Sequence, residues 1–238
     1  VLAGIASAGI RIGSFFQPTG MLIVLGGTLG VTLITTSRIA LFRAVRGAIG
    51  LLWRRAENRE AVLEDILALS RTSRTKGLFG VEPLIRTVTQ PFLREALQFA
   101  VDARNRGDLQ TTLETKLRQL ERQTEADARA FEVAGGFAPT IGVIGTVVGL
   151  MDVLRQFSNI SSVAAGTGTA FVSTIYGLGL ANLILLPSAQ RLRADAAEQY
   201  ETNEMIVEGM LCLFDGLHPA LVRDRLSCFL REDHENNS

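Results

Sequence analysis

The stretch GGFAPTIGVIGTVVGL, residues 135–150, decides the fold. It carries no charge and reads as membrane helix, yet it holds a helix-breaker, Pro139, and a hydroxyl, Thr146. Neither suits a segment that only has to fill hydrocarbon. Working outward, residues 133–154 form an apolar span whose one acid, Asp152, lies near its end. Residues 169–190, TAFVSTIYGLGLANLILLPSAQ, form a second span without charge, and residues 20–37 a third. Each is close to the about 20 residues a helix needs to cross a bilayer. Residues 1–13 are apolar apart from Arg11 but too few to cross. They are expected to be the outer part of a first span, because the chain opens at Val1 and not Met, and they are not read as a signal peptide. The expected class is therefore all-α: a polytopic membrane protein with four transmembrane helices and a helical domain between the second and third.

Composition supports segregation. The chain is 47% hydrophobic with zero formal net charge. That average hides charge-free stretches beside others dense in Arg and Glu, the pattern of membrane spans joined by soluble segments. Zero net charge gives no reason to expect nucleic-acid binding. Two cysteines, Cys212 and Cys228, do not make a disulfide framework, and reduced thiols are expected. Of the 24 Lys and Arg residues, all but Arg11 and Arg155 lie between the second and third spans or after the fourth. The positive-inside rule then makes the middle segment and the tail cytoplasmic. The expected layout is a first hairpin at 1–37, a cytoplasmic helical domain at 38–132, a second hairpin at 133–191 and a cytoplasmic tail at 192–238. The short connections at 14–19 and 158–168 fall outside.

The middle segment reads as helices. Val62, Ile66 and Leu69 share a face, with Leu63 and Leu67 beside them. Pro91 suits the first turn of a helix bearing Phe92, Ala96, Leu97, Ala100 and Val101. Arg106-Gly107-Asp108 reads as a stop and a start, Gly as C-terminal cap and Asp as N-cap. From Leu109 the pattern runs unbroken through Leu113, Leu117 and Leu120 to Phe131 and into the next span. A continuous helix is favoured over a bundle of separate ones, and it would couple soluble contacts to membrane events.

Small residues are arranged for close packing: Gly26 and Gly30, Gly145 and Gly149, then Gly177, Gly179 and Ala181. Moving an ion across a membrane usually needs a titratable group at depth. Asp152 lies about 27 Å from the cytoplasmic edge at 1.5 Å per residue, so it belongs near the outer surface, where Arg155 can pair with it. Either the chain carries no ions or a partner supplies the carboxylate. Pro139 and Pro187 lie near the cytoplasmic ends of antiparallel spans, at similar expected depth, and each frees a backbone carbonyl. Thr146 and Thr174 lie deeper. Their hydroxyls either meet water or a cation, or bond back to the carbonyl four residues earlier.

These segments resemble a known family. FAPTIGVIGTVVGLMDVL and TAFVSTIYGLGLANLILLPSAQRL are similar to the third and fourth spans of the MotA/PomA proteins, the A subunits of flagellar stators. PTGMLIVLGGTLGVTLIT resembles their second span, RTKGLFGVEPL their cytoplasmic charged motif, and EGMLCLFDGLHPALVRDRLSCFL their tail. The resemblance implies a homopentamer around two single-span MotB/PomB-like B subunits, each with an aspartate through which ions pass. It implies residence in the bacterial inner membrane and contact between the cytoplasmic domain and the rotor ring. Pro139 and Pro187 match the family's torque-coupling prolines, and Arg74 and Glu82 its rotor-contact pair. Thr146 and Thr174 match positions that are both threonine in sodium-driven members, which favours transported Na+ over H+. No bound cofactor and no resident metal are implied. The family pattern departs at Thr75, where some members are basic, and in the loop SNISSVAAGTG. An alternative is an ion-driven energiser of the TolQ/ExbB type, or a MotA-like chain recruited to a non-flagellar system. TolQ/ExbB proteins have three spans with the large insertion after the first, unlike the order here. An enzyme is not expected, since His218 and His234 lack metal-ligand spacing and the glycines lie in apolar spans.

Overall fold

A computed structural model describes residues 16–51, 58–155 and 160–230. Residues 1–13, the expected first span, lie outside these. Among the described residues the chain is helical, without strands. Eight α-helices follow in order: α1 Pro18–Thr35, α2 Arg38–Leu51, α3 Arg59–Lys76, α4 Pro91–Asp102, α5 Arg106–Arg155, α6 Ile160–Gly179, α7 Leu186–Phe214 and α8 Pro219–Leu226. A 3-10 segment, Leu78–Arg86, joins α3 to α4, and a π-helical turn, Leu180–Leu185, joins α6 to α7. Among the described residues three helical stretches are long and apolar enough to cross a membrane: Pro18–Thr35, a window within Arg106–Arg155, and one within Gly166–Phe214.

The chain divides into two compact units, residues 1–52 with 124–193 and residues 53–123 with 194–238. α5 is one unbroken helix of 50 residues and contributes to both. Its start differs from expectation. Gly107 and Asp108 are already helical, and Asn105 is the cap, its Oδ1 accepting the Asp108 N–H at 2.9 Å. Asn competes with Asp for this role, and the Asn105 amide also donates to the Asp108 carboxylate at 2.7 Å.

The first unit packs through backbone proximity. A Cβ at Gly177 would fall 2.6 Å from the Ala138 carbonyl oxygen, and one at Gly149 would fall 2.7 Å from the Ala170 nitrogen. Only glycine lets α5 and α6 approach this closely. α1 joins them through Gly20 against Ser173 and Gly27 against Ile141. Gly26, Gly30 and Gly179, also expected to pack, have open space where a Cβ would stand. The expected outer connection at 158–168 is largely helical, because α6 begins at Ile160. Gly166 there meets the Gly149 carbonyl and Val153.

The second unit has a side-chain core. Val62, Leu63, Ile66, Leu67 and Leu69 of α3 are buried, as expected, with Phe92, Ala96, Leu97 and Ala100 of α4. Leu109 and Leu113 of α5 meet Met205, Ile206, Met210 and Leu213 of α7, and α8 adds Val222 and Leu226. Buried Arg59 fastens the start of α3: Nη2 donates to Glu201 at 2.6 Å, Nε to Thr202 Oγ1 at 3.3 Å and Nη1 to the Phe229 carbonyl at 3.2 Å. Both cysteines are free. Burial and the neighbouring Glu208 push the Cys212 thiol above its ordinary range.

Candidate functional site: paired threonines between two apolar helices

Thr146 and Thr174 are brought together. The two Oγ1 atoms are 2.5 Å apart, a hydrogen bond between α5 and α6. Thr146 Oγ1 also lies 3.1 Å from the Gly142 carbonyl of its own helix and 3.1 Å from the Ala170 carbonyl of α6. Of the two readings of Thr146, the bond back four residues is present, and the hydroxyl also reaches across to α6. The site gathers two hydroxyls and two carbonyls, an all-oxygen set of the kind hard cations prefer. The helices come this close because Gly142 faces the Ser173 carbonyl and Gly177.

Ser173 was not singled out in the sequence. It is fully buried, wedged between Gly20 of α1 and Gly145 of α5. A serine beside Thr174 gives no pattern signal of its own; only the register of three helices identifies it. Tyr176 also gains a contact, its hydroxyl accepting the Gln17 N–H at 3.3 Å.

The prolines occupy different backbone settings. Pro139 is part-buried inside the continuous α5. Pro187 is exposed and follows directly on the π-helical turn, whose Leu186 N–H donates to the Ala181 carbonyl. A proline ring collides with the carbonyl four residues earlier, and a widened turn relieves that collision. The two are not at one level. Gly135 faces Leu186, and Ala138 faces Gly177. Pro139 and Pro187 are thus staggered by roughly one and a half turns, about 9 Å at 1.5 Å per residue. Equal distance from the ends of two apolar stretches was a poor guide to depth.

Arg74 and Glu82 lie in the second unit, both exposed. Arg74 is in the last turn of α3, which ends at Gly77 with φ 74, a left-handed conformation suited to glycine. Glu82 sits on the following 3-10 segment, anchored by buried Val81 and Ile85. Between them Phe79 is 76% exposed. Hydrophobic pattern alone assigns a Phe in LFGVEPL to a core, so sequence reading passes over it. Among the described residues no cluster of His, Cys, Asp and Glu is placed to hold a metal.

Residues 85–205, which carry α4 to α7 up to Met205, match the model of the MotA/TolQ/ExbB proton channel family. The chain belongs to that family. Among individual relatives, it is 26% identical to Motility protein A of Bacillus subtilis strain 168, over 95% of this chain and 84% of that one. It is 25% identical to the chemotaxis protein PomA of Vibrio alginolyticus, over 94% and 88%. The fold matches a chain in the structure of C. jejuni MotAB with TM-score 0.86 at 22% identity, covering 95% and 89%.

Proposed function

We propose that this chain is the A subunit of an ion-driven flagellar stator, taking sodium in preference to protons. The reading is carried by one observation. The Thr146–Thr174 pair lies between apolar helices in the segment that matches an ion-channel family, within a chain similar along nearly its whole length to Motility protein A and PomA. The spans around the pair contain no acid at depth, so the ion-binding carboxylate comes from a single-span B subunit seated against α5 and α6.

In this conformation the two hydroxyls satisfy each other. An ion arriving on the partner's carboxylate is met by Thr146 and Thr174 once their mutual bond opens, and the bond re-forms as the ion leaves. Hydroxyl and carbonyl oxygens replace part of the hydration of a sodium ion, whereas a proton needs no such replacement. Five copies surround two B subunits, and each ion step turns the ring. Pro139 and Pro187 transmit the step at two levels of the α5–α6/α7 pair. Arg74 and Glu82, with Phe79 between them, meet the rotor: exposed charges steer repeated encounters without holding them. The arginine-rich middle segment and tail face the cytoplasm of a cell whose inner membrane holds the spans. Nothing in this cycle calls for enzymatic catalysis or a bound cofactor.

The test is swimming speed against sodium concentration at fixed pH, in a flagellated host lacking stators that expresses this chain with its B subunit. Speed that rises and saturates with sodium is expected. Speed indifferent to sodium would keep the stator role and make Thr146 a packing residue. Immobile cells with correctly inserted protein, in a host that also expresses the rotor ring protein from the same source as this chain, would favour a non-flagellar energiser.

A further inference from the structure

α2 is not explained by ion passage or rotor contact. It leaves α1 after only Thr36 and Ser37, and the Ser37 hydroxyl accepts the Ala40 N–H at 3.2 Å to start it. Two residues span at most about 7 Å, so α2 begins close to where α1 ends. Its inner face is small and fixed. Ala40 and Ala44 are buried, and a Cβ at Gly47 would fall 3.3 Å from Leu192. Arg43 Nε donates to both Asp127 oxygens, at 2.9 and 2.7 Å. Asp127 and Leu192 flank the apolar spans of α5 and α7, so α2 lies against both helices where they leave the hydrocarbon.

The outer face is the unusual one. Ile39 is 76% exposed, Phe42 72% and Ile49 57%, with Val45 among them. They lie three to four residues apart and form one stripe. Arg38 and Arg46 rise from the same stripe, exposed, with no carboxylate partner among the described residues. α2 itself contains no acid. The stripe continues the lipid-facing side of α1, where Leu33 and Ile34 are exposed just before the bend. A basic, acid-free, amphipathic helix at this position has the composition of a monolayer-surface helix. A second copy presenting the same face would set arginine against arginine.

We propose that α2 is an interfacial helix that seats Ile39, Phe42, Val45 and Ile49 in the border of the cytoplasmic leaflet and holds anionic lipid headgroups with Arg38 and Arg46. Long basic side chains rising from an apolar stripe reach phosphate while their stems stay in hydrocarbon. The proposal rests on α1 spanning the membrane.

The experiment uses the full chain in liposomes of phosphatidylcholine and phosphatidylglycerol, with Cys212→Ser and Cys228→Ser. Single spin labels are placed by Leu29→Cys, Phe42→Cys and Ile49→Cys, and their collisions with oxygen and a water-soluble nickel chelate are compared. Oxygen is expected to dominate at all three. Lipid exposure at Leu29 with nickel access at Phe42 and Ile49 overturns the interfacial helix and leaves the span intact. Lipid exposure at Leu29 with neither reagent reaching Phe42 or Ile49 means that a protein surface covers the stripe, and also overturns the proposal. Nickel access at Leu29 overturns the span and the proposal together. For the headgroup, a bimane at Phe42→Cys should be quenched preferentially by nitroxide-labelled phosphatidylglycerol over phosphatidylcholine. The preference should fall about fivefold for each of Arg38→Gln and Arg46→Gln. Equal quenching by both lipids in the parent overturns the anionic assignment.

Discussion

The two units solve the same problem, joining helices, with opposite materials. The second unit buries Leu, Ile and Met, because water drives apolar side chains together. The first unit leaves Leu22, Ile34, Leu154, Phe171 and Leu183 exposed and packs by removing side chains, at Gly142, Gly149, Gly166 and Gly177. In hydrocarbon there is no hydrophobic drive between helices, so stability comes from backbone proximity and small polar contacts such as Thr146 with Thr174. The lesson is that exposure of an apolar residue means different things in the two units. On α1, α5 and α6 it marks a face open to lipid or to another membrane helix. At Phe79, in a unit with its own core, it leaves an aromatic ring open to water that the core does not claim.

The sharpest way to break this contrast is to add atoms at a glycine contact. Gly177→Leu puts a side chain where the Ala138 carbonyl already stands, and backbone cannot step aside as a flexible side chain can. Loss of folded protein is expected, beyond about 4 kcal/mol. It would be read as the disappearance of the monodisperse peak of a fluorescent fusion in detergent. Gly26→Ala, which meets open space, should leave that peak unchanged. A lost peak at Gly26→Ala would show that this face meets another chain.

The second unit should fail differently, by losing a polar anchor. Arg59→Ala removes a buried guanidinium and leaves Glu201 and the Phe229 carbonyl without their donor. Removing one partner of a buried pair is strongly destabilising, but Glu201 is 38% exposed and water recovers part of the loss. A destabilisation of about 2 kcal/mol is expected, seen as a lower unfolding midpoint with retained helix in α5 and α6. An unchanged midpoint would show that the α3–α7 junction is held by its apolar contacts alone.

Much of this was legible in the sequence. The apolar stretches, the continuity of α5, the core faces of α3 and α4 and the choice of Thr146 and Thr174 as site residues follow from periodicity, spacing or resemblance, whereas the bond between the two threonines is visible only in the structure. What escaped has a common physical cause. The stagger of Pro139 and Pro187 and the burial of Ser173 depend on the register between helices, which a chain-local pattern does not carry. α2 escaped because its stripe mixes arginine with isoleucine and phenylalanine, which averages to neither span nor core. Asn105 displaced Asp108 as cap because both residue types suit the position and spacing cannot choose between neighbours.

Function offers a smaller and more selective break. Thr146→Ala deletes one hydroxyl of the oxygen set and frees Thr174, yet it removes little packing. Stability should change by about 1 kcal/mol or less. The sodium concentration giving half-maximal speed should rise severalfold at constant pH, with speed at saturating sodium largely kept. A half-maximal concentration equal to that of the parent would make the pair a structural bond.

The smallest effect lies where the first unit meets water. Arg193 donates to Glu125 at 2.6 and 3.0 Å and also pairs with Glu132. The hydrogen bonds from Arg193 hold the Glu125 carboxyl below its ordinary value of 4.5. A carboxylate whose folded value is depressed stabilises the fold fully above its unfolded value and loses that contribution as pH falls through the folded one. The window therefore opens at about 4.5 and extends downward. Glu125 is more than half exposed, so solvent limits the contribution to less than about 1 kcal/mol. Glu125→Gln should lower the unfolding midpoint slightly at about pH 6, and the gap from the parent should close as pH falls through the depressed folded value. A gap that persists in acid would mean that Glu125 acts through packing along its stem. The surface bond would then follow the logic of the second unit, and the boundary between the two packing regimes would lie nearer the membrane than Arg193.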